Sequence, residues 1–236
     1  MKASQIPFLQ KYLFLSVHLK GLLTSGFAKK YYSQFGEDVA LGRLCSSKKN
    51  GFYVDVGAYH PKHYSNTYLL YKKGWHGINI DPNPDSIRLF NLYRRRDINV
   101  NCGIDESVSE RPYFIFNHQS CNTFSREQKE LMLQKSFISL IKETTIACRP
   151  LQGILDMHAS GIAIDVLNVD VEGMNLQVLN SIDWNKTHPA IICIEDDDFN
   201  FQKSENFGSE IFALLTKQGY GLDTKIGLSC VYTQKQ

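Results

Sequence analysis

No glycine-rich phosphate cradle occurs in this chain. Neither G-x-G-x-x-G nor G-x-x-x-x-G-K-[ST] is found in its 236 residues, so the common pyrophosphate-binding loops are missing. No C-x-x-C pair occurs either. The six cysteines, Cys45, Cys102, Cys121, Cys148, Cys193 and Cys230, have spacings that fit no zinc pattern. Cys193 lies inside Ile191-Ile192-Cys193-Ile194 and reads as a small core residue. Such cysteines point to a reducing, cytoplasmic compartment. Excess charge is lacking as well: a net charge of +2 argues against nucleic acid as a partner. The local run Arg94-Arg95-Arg96 reads as a solvated helix end rather than a phosphate clamp. There is no internal repeat and no low-complexity tract. With 43% hydrophobic and 21% charged residues, a largely disordered chain is excluded.

A long unbroken apolar run is also absent. Residues 1–30 are apolar, but Gln10, Lys11, His18 and Lys20 interrupt them, leaving too little to span a bilayer. An A-x-A-like cleavage site after an unbroken apolar core is missing, which argues against a secretory signal. The polar residues do not gather on one helical face. The expectation is an N-terminal helical extension docked on the domain or on a second subunit of a homo-oligomer. The competing expectation is peripheral contact with the inner face of the membrane.

What is present begins at Gly51-Phe52-Tyr53-Val54-Asp55-Val56-Gly57. The β-branched and aromatic run predicts a strand buried on both faces, of the parallel kind. It ends on an acid and a glycine, where open α/β sheets bind ligands; Gly57 permits a sharp turn and a close approach. Gly77-Ile78-Asn79-Ile80-Asp81 repeats the pattern about 20 residues on, where an acid holds a ribose diol in nucleotide-binding folds. A crossover helix is predicted over Ser65 to Lys73, with Ser65 as cap. Two strand-end acids without a pyrophosphate cradle fit a nucleoside lacking phosphates, such as S-adenosylmethionine.

Further along, a helix is expected from Asp85 to Arg96 and a strand over Ile98–Cys102, with Asp105 at its end. Residues 111–116 read as another strand. Residues 117–143 read as a helical insertion, with helical character from Glu127 to Lys142, that could cover a substrate pocket. Ile164–Asp170 is a core strand, and Pro189–Glu195 another, ending in the acid run Glu195-Asp196-Asp197-Asp198. A helix near 210–218 and two terminal strands complete the chain. Glu37 and Asp38 read as helix N-terminal acids. Alternating strands and helices predict one layered α/β domain with a mostly parallel sheet.

Several stretches taken together resemble the FkbM-type methyltransferases. They are Ser33-Gln34-Phe35-Gly36-Glu37-Asp38, Phe52 to Ala58, Ser65-Asn66-Thr67, Gly74 to Pro84, and Asp170-Val171-Glu172-Gly173, in that order. The resemblance implies a class I, Rossmann-like methyltransferase fold. Its sheet would be seven-stranded and mostly parallel, with flanking helices and one antiparallel strand, in a domain over residues 31–236. It implies O-methyl transfer from S-adenosylmethionine, often to a sugar of a polysaccharide or glycoconjugate. A lipid or small-metabolite acceptor, or a silent binding module of the same fold, are the alternatives. Carried over, Asp55 and Gly57 lie beside the methionine part of the cofactor and Asp81 holds the ribose. Asp105 contacts the adenine, and Gln34 with Ser65-Asn66-Thr67 reaches the amino and carboxylate ends. Two departures stand out: the ribose acid is commonly Glu in the family, and residues 117–146 match none of its pattern.

A sugar hydroxyl needs a base or a metal to take its proton. His60 and His63, just beyond the glycine loop, are candidates. Asp170 and Glu172 are the others. Strand alternation would put both on one side, where they could share a proton or bind a divalent cation such as magnesium.

Overall fold

The computed structural model describes residues 30–235. The chain divides into two units, Met1–Tyr31 and Tyr32–Gln236, and the second holds the elements that follow. The helical extension expected over 1–30 lies outside the described residues.

Helix α1 (Glu37–Leu44) precedes β1 (Phe52–Val56), whose five residues are all buried. Helix α2 (Tyr68–Lys72) leads to β2 (His76–Asp81). It is shorter than the predicted Ser65–Lys73, although the Ser65 hydroxyl does accept from Tyr68 N at 3.2 Å. Helix α3 (Pro84–Tyr93) starts on Asn83, whose side chain accepts from Asp85 N, with proline in the first turn. Strand β3 (Ile98–Asn101) follows.

The chain then leaves the main sheet. Strands β4 (Gly103–Ile104), β5 (Ser109–Phe116) and β6 (Leu140–Arg149) form a second, three-stranded sheet in the order β4-β6-β5. Between β5 and β6 lies helix α4 (Arg126–Leu133). The insertion is therefore a β-ribbon carrying one short helix, not a helix running to Lys142. Phe116 pairs with Leu140 across the ribbon, and Phe114, Phe116 and Ile138 form a small core with Leu140 and Met132 against it. That tertiary contact overrides the local helical preference. Leu140 to Lys142, expected at the end of that helix, are instead the first residues of β6, which is largely exposed.

Helix α5 (Leu151–His158), β7 (Val166–Val169), α6 (Asn175–Asn180), β8 (Ile191–Glu195), α7 (Glu210–Lys217), β9 (Tyr220–Ile226) and β10 (Ser229–Gln234) complete the domain. The main sheet has seven strands in the order β3-β2-β1-β7-β8-β10-β9. Strand β10 runs antiparallel to both neighbours, while the other described pairings are parallel. The mostly parallel seven-stranded α/β fold is thus as expected. Val54, Val56, Ile78, Ile80 and Leu167 feed one face, whereas Tyr53, Val166, Cys193 and Val231 feed the other. From β1 the chain builds outward to β3, then returns to build the other way from β7. That reversal between β1 and β7 opens a crevice at their carboxyl ends.

Arg94 overturns the solvated-helix-end reading. Its side chain is 0% exposed. Nε donates to Pro61 O at 2.9 Å, Nη1 to Tyr53 Oη at 2.9 Å and Nη2 to Ser65 Oγ at 2.8 Å. A buried guanidinium with these partners clamps the loop after β1 onto the end of α3.

Candidate active site

Gly57 sets the crevice. Its φ is +77°, and a Cβ placed there would lie 1.8 Å from the Asp170 carbonyl oxygen. Only glycine lets the end of β1 approach the end of β7 so closely. Gly57 N donates to Ile80 O at 3.0 Å, and Asp170 N to Val56 O at 3.0 Å, which locks three strand ends together.

A cavity of about 490 Å³ opens over these ends. Of the predicted residues, Gln34, Gly57, Asp81, Asp170 and Glu172 line it. Asp81 accepts from Tyr59 N through Oδ2 and from Asn83 N through Oδ1, each at 2.8 Å. Each oxygen keeps a lone pair for a further donor. Burial pushes its pKa up to about 6, against the pull of those two amides. Gln34 reaches the cavity from a turn that Asp38 and Glu37 tie down. Asp38 accepts from Tyr32 N and from Ser33 Oγ, both at 2.8 Å, and Glu37 from Phe35 N at 2.8 Å.

The remaining predicted residues do not line the cavity. Asp55 is buried beneath it, accepting from Thr67 Oγ1 at 2.6 Å and from Asn168 Nδ2 at 2.9 Å. Asn66 donates to Asn168 at 2.9 Å, and Ser65 and Thr67 both accept from Arg94. Ser65-Asn66-Thr67 and Asp55 thus form one buried network that fixes the glycine loop. Asp105 is held by Arg111, Ser109 and Glu106 N, and those hydrogen bonds keep its pKa low against burial. Its neighbours Cys102, Gly103 and Ile104 wall the cavity instead. His60 accepts at Nδ1 from Lys62 N and His63 N, and burial lowers its pKa. His63 is exposed. Neither histidine lines the cavity.

The pair Asp170 and Glu172 reaches the cavity by a route other than strand alternation. β7 ends at Val169, and Glu172 has φ +48° followed by Gly173 at +90°. The chain therefore turns through the left-handed region, and does so at a non-glycine residue, a strained arrangement that concentrates at functional sites. Thr123 Oγ1 of the insertion donates to Glu172 O at 2.7 Å, and Asn175 Oδ1 accepts from Val171 N at 3.0 Å. Both contacts hold the turn.

Glu195 and Asp197, at the end of β8, line the same cavity. Asp170 and Glu195 act on one another electrostatically across the cavity. Burial and mutual repulsion raise both, and burial with the charges of Glu195 and Asp197 pushes Glu172 up to about 8. Glu195 was legible as a strand-end acid, as were Asp55 and Asp81, but carried no role in the sequence reading. Among the described residues, no group of three or more His, Cys, Asp or Glu side chains is placed to hold a metal ion. The magnesium expected at Asp170 and Glu172 therefore finds no such ligand group among the described residues. From the insertion come Gln119, Asn122, Gln128, Met132 and Lys135, and from the loop after β1 come Tyr59 and Tyr64. Nothing in their spacing had marked these residues.

These raised acids carry a consequence for stability. The folded state holds protons that the unfolded chain releases between about pH 4 and 8, so stability falls as pH rises through that window. The ligand-free protein is expected to melt at a lower temperature near pH 8.5 than near pH 6, and Glu172→Gln to reduce that difference. A melting temperature that climbs over this range would contradict the burial of the carboxylates.

The family model described as the methyltransferase FkbM domain matches residues 55–222. A crystal structure of a Klebsiella pneumoniae protein assigned as an O-methyltransferase superposes at a TM-score of 0.42 with 8% identity. The match covers 88% of this chain and 84% of that one. No curated protein matches the chain in sequence. The family match begins at Asp55 near the end of β1 and takes in the glycine loop, Asp81, the insertion and the Asp170–Glu195 cluster, and the chain belongs to the FkbM methyltransferase family, whose members are S-adenosylmethionine-dependent.

Proposed function

We propose that this enzyme methylates a hydroxyl of a sugar in a surface polysaccharide or glycoconjugate. The carrying observation is that one cavity holds both an acid suited to a ribose diol, Asp81, and a buried carboxylate cluster near neutrality, Asp170, Glu172 and Glu195. S-adenosylmethionine supplies an electrophilic methyl group when bound. Asp81 would hold its ribose hydroxyls, with the glycine loop at Gly57 giving it room. Asp170 and Glu172 would orient the acceptor hydroxyl and take its proton at a carboxylate oxygen. Amides and charges from the insertion, Gln119, Asn122, Gln128 and Lys135, suit a hydroxyl-rich acceptor. Cytoplasmic location and contact of residues 1–30 with a membrane or a second copy remain part of this reading. Among the described residues no helix is long and apolar enough to cross a membrane.

Asp81→Ala tests the cofactor half of the reading. Charge-assisted hydrogen bonds of this kind are worth about 1.5–3 kcal/mol. Calorimetry should show S-adenosylmethionine affinity falling by about tenfold to a hundredfold in a folded variant. In the wild type, affinity should weaken as pH drops through about 6, where Asp81 gains a proton. An affinity that ignores both changes would place the ribose elsewhere.

A further inference from the structure

Two tyrosines at the cavity have no part in the chemistry above. Tyr59 and Tyr64 both line it, and their rings stack with centroids 6.3 Å apart and planes 29° from parallel. Tyr64 is 60% exposed, an unusual state for a large ring held in place. Both residues have left-handed backbone, φ +54° and +52°. A bulky side chain adopts that conformation only where its surroundings impose it. Here the surroundings are identifiable. Tyr59 N donates to Asp81, Arg94 Nε to Pro61 O, and Ser65 N to Tyr32 O at 3.0 Å. The loop is pinned on both sides of the tyrosines, so the rings are presented rather than merely left over.

We propose that Tyr59 and Tyr64 form an aromatic platform that takes the apolar face of a pyranose ring in the acceptor. The inference rests on the glycan reading above and adds to it a named subsite. A pyranose carries C–H groups on one face and hydroxyls around its edge. The electron-rich face of a tyrosine attracts such C–H groups, and its few rotatable bonds make ordering cheap. Amides and charged groups lining the same cavity, Gln119, Asn122, Gln128 and Lys135, can meet the edge hydroxyls. A pair of aromatic rings in a cavity that also carries amides and charged side chains selects a ring with one apolar face over a linear polyol.

The test uses the full chain with S-adenosylhomocysteine present and a panel of methyl glycosides of common hexopyranoses and deoxyhexopyranoses. Saturation-transfer NMR on the wild type should place the transfer on protons of one ring face. Tyr64→Ala should weaken the bound glycoside by about threefold to tenfold, and Tyr64→Phe should retain it. Calorimetry should give the same S-adenosylhomocysteine affinity for Tyr64→Ala as for wild type. Equal glycoside binding by wild type and Tyr64→Ala would overturn the platform while leaving the glycan reading standing. A tenfold loss of S-adenosylhomocysteine affinity would assign the rings to the cofactor and overturn it. Simple phenols binding where no glycoside does would overturn both the platform and the glycan acceptor.

Discussion

Asp170→Asn is expected to lower methyl transfer by about 100-fold or more, the scale of a lost general base, while S-adenosylmethionine still binds. Glu172→Gln is expected to do nearly the same. Both substitutions keep shape and remove the ability to accept a proton. The reason lies in the cluster. Asp170 is surrounded by Glu172, Glu195 and Asp55, and burial raises it first of all. A carboxylate in that setting is a far better proton acceptor near neutrality than one in water, which is what a sugar hydroxyl requires. Because the groups repel one another, they titrate as a set. The wild-type rate should therefore rise with pH between about 6 and 8 and then level off. The measurement is transfer of label from methyl-tritiated cofactor to a polysaccharide extract, beside calorimetry on each variant. Chelation is expected to leave the rate unchanged, since among the described residues no group of three or more His, Cys, Asp or Glu side chains is placed to hold a metal ion. Activity that survives both substitutions would dismiss the cluster as the base. Loss on chelation restored by magnesium would return the pair to a metal role.

The strands of the main sheet were legible because their signal is short and local. Phe52 to Val56 and Ile191 to Ile194 are buried on both faces, so every residue is apolar or tied down. The acids Asp81 and Asp170 followed from a rule about where strands end, and the sheet delivers them to one crevice. Other features depend on partners far along the chain. Asp55 shares its strand-end position with Asp81, yet Thr67 and Asn168 take up its oxygens, so the same local pattern yields a scaffold residue. Arg94 sits in a run of three arginines, and only the fold distinguishes it from its neighbours. Residues 111–116, inside β5, were legible as a strand, but the start of β6 was not, because an exposed strand shows little periodicity and the pairing of Phe116 with Leu140 spans the whole insertion. Tyr59, Tyr64 and Glu172 are special through their backbone conformation, which no composition records.

Gly57→Ala should have the largest effect on the protein as a whole. The methyl group would need space 1.8 Å from the carbonyl oxygen of Asp170 and 2.7 Å from its carbonyl carbon. Both are backbone atoms of a strand end hydrogen-bonded to β1, so neither can rotate aside. The residue must also stay at φ +77°, which costs an alanine roughly 1–3 kcal/mol, and forced overpacking adds roughly as much again. Domains have about 5–15 kcal/mol in all, so much of the margin goes with one methyl group. Relief requires β1 and β7 to part at the point where the cavity is built, displacing Asp170 from Asp81. The variant is expected to melt several degrees lower, at about 2–4 °C per kcal/mol, and to lose S-adenosylmethionine binding by calorimetry. Gly153→Ala is the matched control. It lies in α5, where an added Cβ meets nothing within 4 Å and φ is not positive. There the same change should raise stability by about 0.5–1 kcal/mol, as alanine does in a helix. A Gly57→Ala protein that melts with the wild type and binds cofactor normally would mean that the two strand ends do not meet as described.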